Sequence, residues 1–163
     1  LSLAAMLFYI WIRFEWQFSL AAIIALVHDV VITLGIFSFL SYEINLSIVA
    51  AVLTIVGYSM NDTVVIFDRI RENLKKYSKI SILDISNTST NETLSRTLIT
   101  SITTLLALFS IYIFGGAILK GFSFAMIIGV IVGTYSSIFV ATPILNYTNV
   151  NQKSILKQNN EIN

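Results

Sequence analysis

The sequence predicts an all-α membrane protein, a polytopic bundle of transmembrane helices, and three observations carry that prediction. Hydrophobic residues make up 56% of the 163 residues and charged ones only 12%, about half the roughly 25% with which a soluble domain keeps its surface wet. Apolar runs recur that are long enough to cross a ~30 Å hydrocarbon core at ~1.5 Å per residue. The basic residues, finally, collect on one side of those runs. The same composition narrows the function classes. The chain has no cysteine, which removes disulfide and thiolate chemistry. One histidine and no His/Cys cluster argue against a metal site, and no cofactor is expected. A net charge of +1 by itself says nothing about nucleic acid, which is not expected as a partner, and no stretch reads as a soluble catalytic domain, so an enzyme is not expected.

Taken in order, residues 1–12 are apolar but cover only ~18 Å. They read as the inner end of a truncated N-terminal span, and the chain as a piece of a longer one. Arg13 and Glu15, set among Trp11, Phe14 and Trp16, suit an interfacial turn. Residues 18–40 form the first complete span, interrupted by His28 and Asp29 near its middle. A tight connection follows, with Asn45 able to cap the next helix. Residues 45–67 span again and carry Asn61 and Asp62 toward their far end. In the polar segment 68–93, Phe67, Ile70, Leu74 and Tyr77 recur at spacings of three and four, opposite Arg69, Glu72, Lys75, Lys76 and Lys79. That pattern predicts a cytoplasmic amphipathic loop whose helical part lies on the membrane surface. Ser89-Thr90-Asn91-Glu92 fits a capping box that opens the span 94–114. The glycines of 115–121 turn the chain into the last span, 121–145, with Pro143 near its end. Residues 146–163 are Asn-rich and polar, and read as a disordered cytoplasmic tail. The expectation is thus a transmembrane domain over 1–145 with four complete spans and one partial span.

Orientation follows from the basic residues. Arg13, Arg69, Arg71, Lys75, Lys76, Lys79, Arg96, Lys153 and Lys157 fall on one side, and only Lys120 on the other. Cytoplasmic loops carry such an excess, so the long loop and the C-terminus are expected inside.

Polar and small residues stripe each span. Ala25, His28, Asp29 and Thr33 share a face, as do Ala51, Thr54, Gly57, Tyr58, Asn61 and Asp62. Arg96, Thr100, Thr103, Thr104, Ala107 and Ser110 form a third stripe, and Gly129, Gly133, Ser136, Ser137 and Ala141 a fourth. Glycine, serine and threonine at these spacings let helices approach closely, so Gly57, Gly129 and Gly133 are read as packing positions. The ionisable residues differ. A carboxylate at mid-membrane costs ~2.5–3.5 kcal/mol on insertion scales, which makes Asp29 and Asp62 candidates for proton-carrying groups, with His28 and Asn61 beside them. Protonated, hydrogen-bonded glue between helices is the competing reading. Arg96 lies at a depth similar to Asp62 on the next helix and is its candidate partner; an interfacial pair with Asp68 is the alternative. Burial favours the neutral carboxyl and a guanidinium the charged one, so small helix movements could switch Asp62.

Several stretches together carry a resemblance: His28-Asp29; the run from Gly57 through Asp62, Asp68, Arg69, Arg71 and Glu72 to Asn73; Ser95-Arg96-Thr97; Thr100 to Thr104; and Gly129 to Ala141. They closely resemble SecF, the protein-export membrane subunit of the SecD/SecF family within the resistance-nodulation-division superfamily. The resemblance implies half of that superfamily's bundle, in the bacterial inner membrane. It also implies a proton-motive-force-driven accessory of the Sec translocon, with protons as coupling ion and Asp62 and Arg96 in proton conduction. The implied partners are SecD, the SecYEG translocon, a YajC-like accessory, membrane lipid, and a preprotein reached through an extracytoplasmic domain missing here. Asp68, Arg69, Arg71 and Glu72 belong to its cytoplasmic motif. A small-molecule exporter of the same superfamily is the alternative. An intramembrane aspartyl protease is disfavoured, because neither Asp29 nor Asp62 sits in a Gly-x-Gly-Asp setting.

Overall fold

The computed structural model describes residues 15–42, 45–77 and 80–148; the expected partial span at 1–12 and the part of the expected 146–163 tail beyond 148 lie outside them, whereas Asn146 and Tyr147, expected in that tail, are helical. Four helical rods are each long and apolar enough to cross a membrane. They are α1 (Trp16–Phe39), α2 (Leu46–Lys76), α3 (Ile82–Phe114) and α4 (Gly116–Ser136), the last continuing through a π-helical turn (Ser137–Ala141) into the short α5 (Thr142–Tyr147). The all-α transmembrane bundle expected from composition is what forms, with no strand among the described residues.

Each boundary has a local cause. Asn45 caps α2 by accepting from the Ile48 amide at 3.1 Å. Ser41 turns the chain before it at φ 54°. Between α3 and α4 the turn needs only Gly115 and Gly116, because Gly116 takes φ 74°, where an L side chain is strained. Gly121 therefore lies inside α4, and the last span starts earlier than residue 121.

The segment 68–93 departs most from expectation. It is not a surface loop: α2 runs unbroken to Lys76 and α3 begins at Ile82. The cap is Ser81, whose hydroxyl accepts from the Asp84 amide at 3.2 Å, whereas Ser89 is buried inside α3. Ile70 and Leu74 have a better use than lipid, since they bury against Ile85. At 31 and 33 residues, α2 and α3 each outrun a ~30 Å core by about three to four turns. Their charged ends pair as a helical hairpin beyond it.

Helix α4 touches the other three long helices. Two apolar clusters fill the bundle. One joins Phe18, Ala22, Met60, Phe67, Ala141 and Leu145 at the charged end; the other joins Phe37, Ile48, Ile55, Leu108, Met126 and Val130 at the opposite end. Between them lies a polar layer.

Candidate functional site

The polar layer forms because α4 offers α2 two glycines. A Cβ on Gly129 would stand 2.2 Å from Ile55 Cγ1, and one on Gly133 would stand 3.0 Å from Ser59 Cβ. This close approach of α4 to α2 at Gly129 and Gly133 goes with Ser136, one turn beyond Gly133, lying within reach of α1. Gly57 is half-buried on α2.

Asp29 is fully buried at the meeting point. Its Oδ2 accepts from the Ser59 hydroxyl of α2 and from the Ser136 hydroxyl of α4 at 2.8 Å. Its Oδ1 lies 3.1 Å from Nδ1 of half-buried His28. A buried carboxylate is tolerable only with such partners, and here one carboxylate ties three helices together. Beside it, Thr63 and Ser137 share a hydrogen bond of 2.9 Å, and Ser101 and Thr134 one of 2.7 Å. The Ser137 hydroxyl also donates to the Gly133 carbonyl at 2.9 Å, and Thr142 to the Ser137 carbonyl at 3.0 Å, across the π-helical turn. π-Turns of this kind are frequent at functional sites.

Asp62 lies one turn beyond Ser59 on α2 and is 3% exposed. Its Oδ2 is buried with no hydrogen-bond partner among the described residues. Arg96 is the charged group whose field reaches it, yet no ion pair joins the two within 4.0 Å. Arg96 itself is exposed on α3, and Asn61 is exposed on α2. The bundle thus brings Asp29 and His28 together, leaves Asp62 buried and unsatisfied, and keeps Asn61 and Arg96 at its surface.

Beyond the core, Arg69 donates from Nε to Glu92 and from Nη1 to Glu72, each at 2.6 Å. Asn73 reaches Ser89 at 2.9 Å and Glu92 at 2.8 Å. The Arg69 and then the Asn73 hydrogen bonds hold the Glu92 carboxyl below the ordinary glutamate range. Arg71 pairs with Glu15 at 3.3 Å, both largely buried, which ties the start of α1 to α2. Asp68 is half-buried. Among the described residues no three His, Cys, Asp or Glu side chains gather as a metal cluster would require.

Ser59, Thr63, Ser136 and Ser137 are hydrogen-bonding members of this polar layer that the sequence pattern ranked only as small packing residues or passed over. Their partners come from three helices, and no spacing within one helix announces that.

The model of the family described as protein export membrane protein SecD/SecF, C-terminal, matches residues 1–151. The chain belongs to the SecD/SecF family. Among SecD/SecF relatives, the protein translocase subunit SecF of Rickettsia bellii is 58% identical over 144 residues, covering 88% of this chain and 48% of its own length. The SecF subunit of Rhodobacter capsulatus is 58% identical over 139 residues, covering 85% of this chain and 42% of its own. The chain therefore spans about half the length of these relatives. The crystal structure of SecDF from Thermus thermophilus, described as a translocon-associated membrane protein, superposes with a TM-score of 0.86 at 44% identity. It covers 91% of this chain and 21% of that one. A SecDF crystal structure in a super-membrane-facing form gives a TM-score of 0.85 at 41% identity. The described bundle is the SecD/SecF membrane fold.

Proposed function

We propose that this chain is the membrane-embedded portion of a SecF-type protein translocase subunit, a transport component rather than an enzyme. In this reading it sits in the bacterial inner membrane with the α2–α3 hairpin on the cytoplasmic side. Proton flow through the bundle drives movements that assist preprotein export. Its partners are SecD, the SecYEG translocon and a YajC-like accessory, with the preprotein handled by a domain outside this chain.

The observation that carries the proton reading is Asp62: a buried carboxyl with one oxygen unsatisfied, within the field of Arg96 but not locked to it. A tight ion pair would hold one protonation state. A carboxyl under two opposed and incomplete influences can change state when α2 and α3 shift. Asp29 and His28 extend the same polar layer through Ser59, and Asn61 stands at its exposed edge. The energetics suffice. One charge crossing ~100 mV is worth ~2.3 kcal/mol, and inverting a two-state population from 1:99 to 99:1 takes ~5.5 kcal/mol, so two to three protons per cycle would serve.

The test is Asp62→Asn in the full-length protein. Proton-dependent preprotein export in inverted membrane vesicles is expected to fall at least tenfold while membrane insertion and complex assembly persist. Export at the unmodified rate would sink the reading.

A further inference from the structure

We propose that the groove between α3 and the rod formed by α4 and α5 is a binding site for one phospholipid of the phosphatidylethanolamine class, with its headgroup at the hairpin end and an acyl chain running toward mid-membrane. The proposal goes beyond the export reading and does not rest on Asp62.

The groove encloses about 590 Å³, within the ~300–1,000 Å³ of small-molecule sites. Along α3 it extends from Ser86 to Leu98, ~18 Å at ~1.5 Å per residue, close to the depth of one leaflet with part of its headgroup layer. Its polarity follows that depth. Asn87 and Asn91 of α3 and Asn146 of α5 line the end nearest the charged hairpin, whereas Leu94, Leu98 and Ile131 line the end toward mid-membrane. Tyr135 and Phe139 add an apolar wall, stacked with ring centroids 5.0 Å apart and both exposed. Hydrogen bonds join the two walls near each end: Ser86 donates to Asn146 Oδ1 at 3.4 Å, and Ser101 and Thr134 share a bond of 2.7 Å. The groove is therefore built into the pairing of α3 with α4 and α5. Thr90 also lines its polar end, and the Thr90 hydroxyl has no partner among the described residues. Thr93, Thr100 and Thr103, further along α3, each bond a carbonyl of the preceding turn.

Charge selects the headgroup. An anionic headgroup is held by Arg or Lys, and no basic side chain lines this groove. From Gly116 to Thr148 the only basic residue is Lys120, at the opposite end of α4. On α3, Arg96 falls midway between Leu94 and Leu98, so at 3.6 residues per turn it projects from the opposite face. Of the acidic residues near the mouth, Glu92 is held by Arg69. Asp84 is exposed one turn before Asn87 and bonds only the Ser81 hydroxyl and its own amide's cap. Side-chain amides donate and accept, which suits a zwitterion whose phosphate accepts and whose ammonium donates, and the nearby Asp84 carboxylate favours the ammonium.

The experiment is native mass spectrometry of the full-length protein in its purified complex, loaded with equal amounts of phosphatidylethanolamine and phosphatidylglycerol of the same chain length. Phosphatidylethanolamine is expected to be retained at least fivefold over phosphatidylglycerol. The double variant Asn87→Leu, Asn91→Leu removes two exposed amides, and Leu98→Trp fills the apolar end; each is expected to lower that retention at least fivefold. Ile113→Trp, at a position on α3 that is 64% exposed and outside the groove, is expected to leave it unchanged. If Leu98→Trp disturbs assembly, the double amide variant carries the test. Equal retention of the two lipids, preference for phosphatidylglycerol, or retention unchanged in both groove variants would overturn the proposal. So would a Phe139→Cys thiol that cross-links fully to another subunit of the complex, because a protein segment then covers the groove. None of these readouts involves proton-dependent export, so the outcome with Asp62→Asn stands apart from them.

Discussion

At Gly129 the bundle has no room for a methyl group. The Cβ of an alanine there would meet three side-chain carbons of Ile55 at 2.2 to 2.8 Å, so α4 must lift off α2 or Ile55 must leave its place. Gly129→Ala is expected to destabilise the protein by about 1–3 kcal/mol, the usual range for overpacking, read as a lower Tm in detergent. Pairing it with Ile55→Ala should recover part of the loss, because the obstructing atoms are then gone. The Gly-x-x-x-Gly spacing was legible in the sequence as a packing signal. That its knob is Ile55, and that its purpose is to seat Ser136 on Asp29, was not, because one helix's periodicity says nothing of the side chain that enters its groove. Asp29 illustrates the same limit. Its cost in an apolar run is visible from hydropathy alone, while its two serine donors come from helices roughly 30 and 107 positions away in the chain.

The helical elements were legible as apolar runs, and their ends were not. Two Ser-x-x-acid patterns compete to start α3, Ser81 with Asp84 and Ser89 with Glu92. Each satisfies the capping-box spacing. Tertiary contacts decide between them: Asn73 takes the Ser89 hydroxyl and Glu92 carboxylate for itself, and Ile85 is buried against α2, so the helix extends back to Ser81. This hairpin has a definite pH response. The Glu92 carboxyl titrates lower in the folded protein than in an unfolded chain, so its contribution is fully present above the ordinary glutamate value of about 4.3 and fades as pH falls through the folded value. Hydrogen-exchange protection at the paired ends of α2 and α3 is expected to hold from neutral pH down to about 5 and to decline below about 4. Glu92→Gln should lower that protection at neutral pH and flatten its acid dependence. Protection in the variant equal to the unmodified protein would show that Arg69 and Asn73 do not depend on this carboxylate.

For the molecule as a whole, the four long helices are unequal partners. Half of the apolar window from Gly116 is buried in the bundle, against 17% of that in α3. The chain has no cysteine, so single cysteines report on this directly. Leu106→Cys, on a face 63% exposed, is expected to react with a membrane-permeant thiol reagent at least ten times faster than Ala125→Cys, which is fully enclosed. Comparable rates would mean that α4 is not the central helix. The unbroken course of α2 carries a mechanical implication of its own. Fourteen residues separate Asp62 from Lys76 on one continuous helix, a stiff arm of ~21 Å at ~1.5 Å per residue. With its pivot among the buried side chains, a tilt of ~10° sweeps the outer tip through ~4 Å over that length. Arg69 and Asn73 clamp the arm to α3, so the swing is shared by two rods, and any protein resting on their tips would register a shift at the buried Asp62 as a displacement the width of an atom or more.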